Sequence, residues 1–337
     1  MKNYRIPIFV PHLGCPHDCV FCNQKHITGK TADVTAEDVI KIINEYLEFI
    51  PKNSYTEIAF FGGSFTGIDF DKQTELLKIA SKFVDEGKVQ GIRCSTRPDC
   101  INEKILDNLK KHNVTCVELG VQSTDDEVLK LSARGHSFED VKMASSMIKS
   151  YGISLGLQMM LGLPGDNFEK MQKTADDLIS LEPTCVRIYP TLVVEDTALC
   201  DMYKNGKYLP LSLEDAVNWI SVLIPKFKKA DIDIIRIGLQ TTDEINEETV
   251  IGPYHPSIRE LAESKIILNV IESFLDKNDV KSQIDIVCNP KIVSLVVGQN
   301  KCNLKYLKSK FYVSIIQDEC ISTDKLKICS KIVDIYK

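Results

Sequence analysis

Three cysteines fall within eight residues, Cys15, Cys19 and Cys22, in the stretch Gly14-Cys15-Pro16-His17-Asp18-Cys19-Val20-Phe21-Cys22. The stretch follows a short apolar run over 6–10, so the thiols sit in a loop leaving a strand. Three thiolates from one compact loop suit a soft, sulfur-rich centre, and thiolate ligation is how iron–sulfur clusters are held. A closed zinc site needs a fourth Cys or His. No second CxxC or HxxxH stands nearby, and a zinc knuckle would have to recruit His12, His17 or His26. Three ligands leave one iron open to a small chelating ligand.

Further residues able to do chemistry follow at intervals. Gly62-Gly63-Ser64-Phe65-Thr66 ends a second apolar run, and paired glycines let backbone groups approach a ligand more closely than residues with a Cβ allow. Glu118 lies inside the apolar run 116–121, where a carboxylate is costly to bury unpaired. Arg97, in Ser95-Thr96-Arg97-Pro98-Asp99, or Arg134, in Ser132-Ala133-Arg134-Gly135-His136, is its expected partner. A cationic ligand and a purely structural ion pair are the alternatives. His136 is expected to be no more than a contact at a helix N-terminus. Cys94, Cys100, Cys116, Cys185 and Cys200 fall on or beside apolar runs and are expected as buried small hydrophobes. A second cluster from Cys288, Cys302, Cys320 and Cys329 would lack any CxxC pair.

Something must bring these residues together. Six β-rich apolar runs, 6–10, 57–61, 92–96, 116–121, 154–160 and 185–189, alternate with amphipathic stretches such as 36–49, 73–85, 103–112, 138–150 and 169–181, and 213–229 follows the sixth. Strand–helix alternation predicts an α/β fold with a parallel sheet, and right-handed crossovers curl it toward a barrel. Six units give a partial (β/α)6 TIM-like barrel. The chemistry-bearing residues fall where strands end and βα loops begin, the face on which such barrels gather their chemistry.

The C-x3-C-x2-C spacing with an aromatic residue before the last cysteine resembles the radical S-adenosylmethionine (SAM) superfamily. Within it, the ordered set Gly-Gly-Ser-Phe-Thr (62–66), Thr-Arg-Pro-Asp (96–99), Leu-Gly-Val-Gln-Ser (119–123), Arg-Gly-His (134–136), Leu-Pro-Gly (163–165), Arg-Ile-Tyr-Pro-Thr-Leu-Val (187–193) and Gly-Pro-Tyr-His-Pro (252–256) resembles the Elongator catalytic-subunit branch. The resemblance covers about residues 1–270. It implies a [4Fe–4S] cluster on Cys15, Cys19 and Cys22, with Phe21 contacting adenine through its backbone. It also implies that Gly62 and Gly63 hold the methionine end of SAM, that Glu118, Gln122 and Arg134 lie along its ribose and carboxylate side, and that Ser64 and Arg97 belong to the same cofactor site. The implied activity is reductive cleavage of SAM to a 5′-deoxyadenosyl radical. Implied partners are RNA, tRNA first, and a one-electron donor such as ferredoxin or flavodoxin. Elongator-type chains often have a longer gap between the first two cysteines. They also continue into an acetyltransferase domain, whereas 57 residues follow position 280 here, so acetyl transfer is not expected.

Those 57 residues carry ten Lys against five Asp and Glu, a balance of +5, while the whole chain stands at −6, leaving −11 on residues 1–280. A basic tail on an acidic body points to a polyanionic partner, or to no more than a solvated face. The tail reads as strand (284–288), helix (290–297), turn (298–301), helix (302–310) and strand (312–316), an order that resembles the KH module of RNA-binding proteins, with Lys301 where the second glycine of its G-x-x-G turn is expected. A small packing domain closing the barrel is the alternative. The expected organisation is a barrel over 1–240, a helical connector over 241–280 and a small basic KH-like domain over 281–337. No apolar run approaches the roughly 20 residues of a membrane span and the N-terminus lacks a signal-peptide pattern, so a cytoplasmic protein without a membrane partner or disulfides is expected. Two other functions stay open: a radical SAM enzyme on a small, porphyrin-like molecule, and a non-catalytic iron–sulfur or zinc protein that binds RNA.

Overall fold

Runs of branched apolar residues, too short for helices and bounded by polar turns, become strands buried on both faces. They are β1 (Asn3–Val10), β2 (Tyr55–Gly62), β3 (Gly91–Thr96), β4 (Val114–Gln122), β5 (Ser154–Leu161) and β6 (Cys185–Pro190). Two-residue strands β7 (Val193–Val194) and β9 (Val250–Ile251) flank β8 (Asp233–Ile237). The structure, a computed structural model, describes residues 2–10, 15, 18–22, 34–242, 245–280 and 282–337.

The large sheet runs in the order β1-β2-β3-β4-β5-β6-β8, every neighbour parallel. Its strands therefore number seven, not the six expected. β8 follows helix α8 (Leu213–Lys229) and pairs with β6; five residues long and carrying Asp233 and Arg236, it lacks the continuous apolar run that marks the other six. Chain order equals sheet order, so each crossover helix covers the same face and the sheet curls into an open, TIM-like half-barrel.

The crossovers are α1 (Ala36–Phe49), α2 (Phe70–Asp85), α3 (Glu103–Lys111), α4 (Asp126–Leu131) with α5 (Phe138–Ser150), and α6 (Phe168–Ser180), while α7 (Ala198–Lys204) and α8 follow β7. Their starts are set by side chains that accept from orphan backbone amides: Asp69, Asn102, Asp125, Asn167, Thr197 and Ser212, with capping boxes at Thr35–Asp38 and Ser137–Asp140. Outward-facing strand residues such as Ile8, Phe60, Val117, Leu157 and Ile188 pack against these helices and form the core.

Helix α9 (Ile258–Lys277) packs on α8 and on α10 (Val293–Val297), and its buried residues share one continuous apolar core with both the barrel and the tail. Buried Asn303, on α11 (Cys302–Lys308), donates to the Ser264 carbonyl at 3.0 Å and its hydroxyl at 2.9 Å. The tail contains the expected strands as β10 (Gln283–Cys288) and β11 (Tyr312–Gln317), paired in parallel. Two further strands, β12 (Lys325–Ile328) and β13 (Lys331–Asp334), complete a mixed sheet in the order β11-β10-β12-β13. The four tail cysteines are not gathered: Cys288 is buried on β10, whereas Cys302 and Cys320 are exposed. No helix among the described residues is long and apolar enough to cross a membrane.

Candidate functional site

The cysteine loop is tied down from two sides. Val20 N donates to the Ser132 carbonyl at 3.1 Å and the Val20 carbonyl accepts from Leu199 N, at the start of α7, at 2.7 Å. Val20 and Phe21 pack against the buried cluster of Val193, Leu199, Cys200 and Tyr208. Cys19 is buried, while Cys15 and Cys22 are half-buried. His12, His17 and His26, the fourth ligands a zinc knuckle would need, lie outside the described residues. Among the described residues no three His, Cys, Asp or Glu side chains are gathered as a site for a single metal ion.

The loop after β2 is locked to β1 and β3. Gly62 has φ +120°, and a Cβ there would stand 2.3 Å from the Val10 carbonyl oxygen, so only glycine fits. Gly63 N donates to that same carbonyl at 3.1 Å. Beyond it, hydroxyls join loop to loop: Ser64 Oγ lies 2.7 Å from Thr96 Oγ1 and accepts from Arg97 N at 3.3 Å, while Thr66 bonds both Thr96 and the Cys100 carbonyl.

Two guanidiniums from βα loops converge on Cys19. Arg134 Nη1 stands 3.4 Å and Arg97 Nη1 3.9 Å from its Sγ. Asp99 holds Arg97 in a bidentate pair at 2.9 and 3.0 Å, and Arg97 also donates to the Arg134 carbonyl. Cys15 acts electrostatically on the same Arg97. His136 is buried beside them, and burial first, then Arg134 and Arg97, push its pKa down to about 3.

Glu118 does not meet Arg97 or Arg134, and that expectation is corrected. It projects from mid-strand into the barrel, where Arg93 Nη1 donates to Oε1 at 2.7 Å, Arg187 donates through both Nε and Nη2, and Gln158 Nε2 lies 3.5 Å from Oε2. Arg93 also pairs with Glu57 at 2.7 Å. Burial would raise the Glu118 pKa, but the charges and hydrogen bonds of Arg187 and Arg93 hold it below the ordinary carboxylate value. Gly156 makes the room, since a Cβ there would stand 2.9 Å from Glu118 Cγ. These charges form the floor of the barrel.

Above the floor opens a cavity of about 360 Å³. Phe21, Cys22, Gly62 and Gln122 line it; Gly63, Ser64, Arg97, Glu118 and Arg134 are not among its lining residues. Gln122 sits at a β4 irregularity with φ 70°, and its buried Oε1 has no hydrogen-bond donor. Sequence reasoning missed Phe9, Phe61, Gln158, Arg187 and Tyr189 on the same wall. The signal was available for Gln158 and Arg187, polar residues flanked by apolar neighbours within strands, as for Glu118. Leu192 and Val194, on the segment that pairs β7 with β9, close one side.

The radical SAM superfamily profile matches residues 9–178, and the radical SAM C-terminal domain matches 183–267. The chain belongs to the radical SAM superfamily. Enzymes of this superfamily cleave SAM with a [4Fe–4S] cluster, and the chain is closely related to their Elongator branch. The tRNA uridine(34) acetyltransferase of Methanocaldococcus infernus is 32% identical over 194 residues, covering 51% of this chain but 36% of that protein, so the chain spans about a third of that relative's length. An uncharacterized protein of Methanocaldococcus jannaschii is 30% identical over 75% of this chain and 79% of its own. The solved structure of the archaeal Methanocaldococcus infernus Elp3 with an N-terminal deletion has a TM-score of 0.61 at 23% identity, over 83% of this chain and 65% of that one, and shows the same fold. The donor set of this radical SAM chain fits a cluster, since Cys22 lines the cavity and buried Cys19 meets two guanidiniums.

Proposed function

We propose that this enzyme holds its cluster on Cys15, Cys19 and Cys22, binds SAM in the cavity against Gly62, and acts on RNA, tRNA first. The observation that carries the cofactor assignment is the cavity itself, where a cysteine, a glycine that no other residue can replace and the unpartnered Gln122 Oε1 share one wall. Gln122 is suited to accept from a ribose hydroxyl or amine, and Gly63 offers backbone at the methionine end. Phe21 gives backbone to the adenine. Ser64 and Arg97 keep the role of positioning, since their polar atoms are spent on Thr96 and Asp99. Glu118 orients Arg187 and Gln158, which do reach the cavity. Bound together, the two groups supply hydrogen-atom abstraction at an unreactive carbon; the chain binds, orients and excludes water.

Support for RNA comes from the tail. We keep the division into a barrel (1–240), a connector (241–280) and a basic unit (281–337). Lys301, Lys305 and Lys308 are exposed, recur at helical spacing along α11 and form no ion pair among the described residues. Asn300 and Lys301 adopt left-handed backbone, with φ 51° and 61°, in a tight turn between two helices of a β-α-α-β unit. That turn supports the KH-like reading, with Lys301 meeting phosphate as a point charge. Gln299 Nε2 lies 3.4 Å from His255 Nε2, joining the turn to the Gly-Pro-Tyr-His-Pro stretch beside β9. The similarity to tRNA-acting proteins points the same way. A ferredoxin or flavodoxin in the cytoplasm completes the reading as electron donor.

The test is anaerobic. With cluster reconstituted and SAM and reductant added, 5′-deoxyadenosine is quantified with and without bulk tRNA, and tRNA is expected to stimulate its formation. Cleavage indifferent to tRNA would remove RNA as the substrate and turn the search to small molecules. No cleavage in a sample of verified cluster content would defeat the enzyme reading.

A further inference from the structure

The tail carries an aromatic ring that the rest of the protein leaves free. Tyr312, the first residue of β11, is 81% exposed, and its side chain has no partner among the described residues. Its backbone is nevertheless fixed. Tyr312 N donates to the Ser282 carbonyl at 2.8 Å and Phe311 N to the Leu307 carbonyl at 2.9 Å, while the Phe311 side chain packs against the core. Strand alternation then turns Tyr312 outward beside Gln283 of β10, which is exposed and whose side-chain amide is also unengaged among the described residues.

Tyr312, Gln283 and Lys308 line one open cavity of about 500 Å³. Lys308 ends the row that starts at Lys301 and passes through Lys305, a span of about 10 Å along the helix axis. Lys310 and Tyr306 differ from that set. Lys310 pairs with Glu272 and lies 4.1 Å from the centre of the Tyr306 ring, and the Tyr306 hydroxyl bonds Glu272, so both side chains are spent on each other and on α9.

A row of uncompensated ammonium groups attracts a polyanion, and an exposed ring at its end offers a face for a base to stack on. Asp285, which accepts from the Ser314 hydroxyl at 2.8 Å, shares the outward sheet face with Gln283 and Tyr312 and repels phosphate there. Phosphates therefore suit the lysines and a neutral base suits the ring. A base has a free face to give only where it is unpaired and splayed out.

We propose that Lys301, Lys305 and Lys308 track the backbone of a single-stranded RNA segment and that Tyr312 stacks one of its unpaired bases, with Gln283 at the base edge. The proposal rests on the RNA reading of the tail and narrows it from RNA in general to an unpaired stretch. Sequence choice at this base is slight, because every base presents a π face.

The experiment is fluorescence anisotropy of the full chain with a fluorescein-labelled, unstructured RNA of about 12 nucleotides, the same strand annealed to its complement, and an abasic strand of equal length. The intact single strand is expected to bind more tightly than either of the others, a comparison that needs no variant. Tyr312→Ala should weaken the intact strand roughly fivefold or more without changing the slope against salt, whereas Tyr312→Phe, which keeps the ring, should stay within about twofold of wild type. Lys308→Ala should make that slope shallower by about 0.7, and Lys310→Ala should leave it alone. Circular dichroism melts check that each variant is folded. Duplex or abasic strand bound as tightly as the intact strand, or Tyr312→Ala equal to wild type, would overturn the stacking site while the lysine row and the RNA reading stand. A wild-type chain that binds none of the three would overturn the RNA reading of the tail itself.

Discussion

Glu118→Gln separates two roles for a carboxylate buried in mid-strand. If Glu118 is the hub of the barrel floor, the substitution leaves Arg187 without its carboxylate, whereas Arg93 keeps Glu57 at 2.7 Å. Volume is conserved, so no cavity term enters. Breaking a buried ion pair from one side costs about 3–5 kcal/mol, and one surviving partner plus the amide oxygen place this case near the low end, about 3 kcal/mol. At roughly 2 °C per kcal/mol for a chain above the usual domain size, the melting temperature should fall by roughly 6 °C.

Thermal melts of the cluster-free chain by circular dichroism provide the measurement, run at pH 7 and again on the acid side. The folded pKa of Glu118 is depressed, so its contribution is present above the unfolded carboxylate pKa and is lost as pH falls through the folded value. The gap between wild type and variant should therefore close below about pH 4. A variant melting within about 1 °C of wild type at pH 7, yet unable to bind SAM, would refute the structural role and make Glu118 a ligand carboxylate.

Gly62→Ala should cost at least tenfold in SAM affinity by equilibrium dialysis, because its Cβ would collide with the Val10 carbonyl and φ +120° disfavours any side chain; unchanged affinity would remove the glycine from the site. Replacing Lys301, Lys305 and Lys308 with Ala should make the slope of log RNA affinity against log salt shallower by roughly 2, at 0.7–0.9 per phosphate contact. An unaltered slope would take the α11 row out of the RNA surface. His136→Leu should flatten the acid limb of stability in the cluster-free chain. Its folded pKa of about 3 lies below the ordinary value, so the unfolded chain binds the proton first and wild-type stability falls, by up to about 1.4 kcal/mol per unit, as pH drops from about 6.5 toward 3. Parallel pH profiles for the two proteins would show that the ring titrates in the folded state.

What the sequence made legible follows from where each signal is stored. Parallel strands buried on both faces announce themselves as apolar runs, which is why six of seven were readable and β8, with Asp233 and Arg236 in five residues, was not. In β12, Lys325 and Lys327 alternate with buried Leu326 and Ile328, a period of two that the lysine-rich composition obscured. Loop motifs were equally plain as motifs, but a motif does not say which way its side chain turns: Ser64 bonds Thr96, while Arg97 and Arg134 turn toward Cys19. The partners of Glu118 were beyond reach for a different reason. Pairing places Glu118 opposite Ser95 and Gly156, so Arg93 lies two residues before one neighbour, and Arg187 two residues after Cys185, the partner of Gly156. Such a meeting depends on register between strands distant in sequence, and composition does not encode register. The division that results is physical. Strand charges, fixed by register, neutralise one another as Glu57, Arg93, Glu118 and Arg187 in the barrel floor, while Arg97 and Arg134, carried by loops, are left to turn toward Cys19.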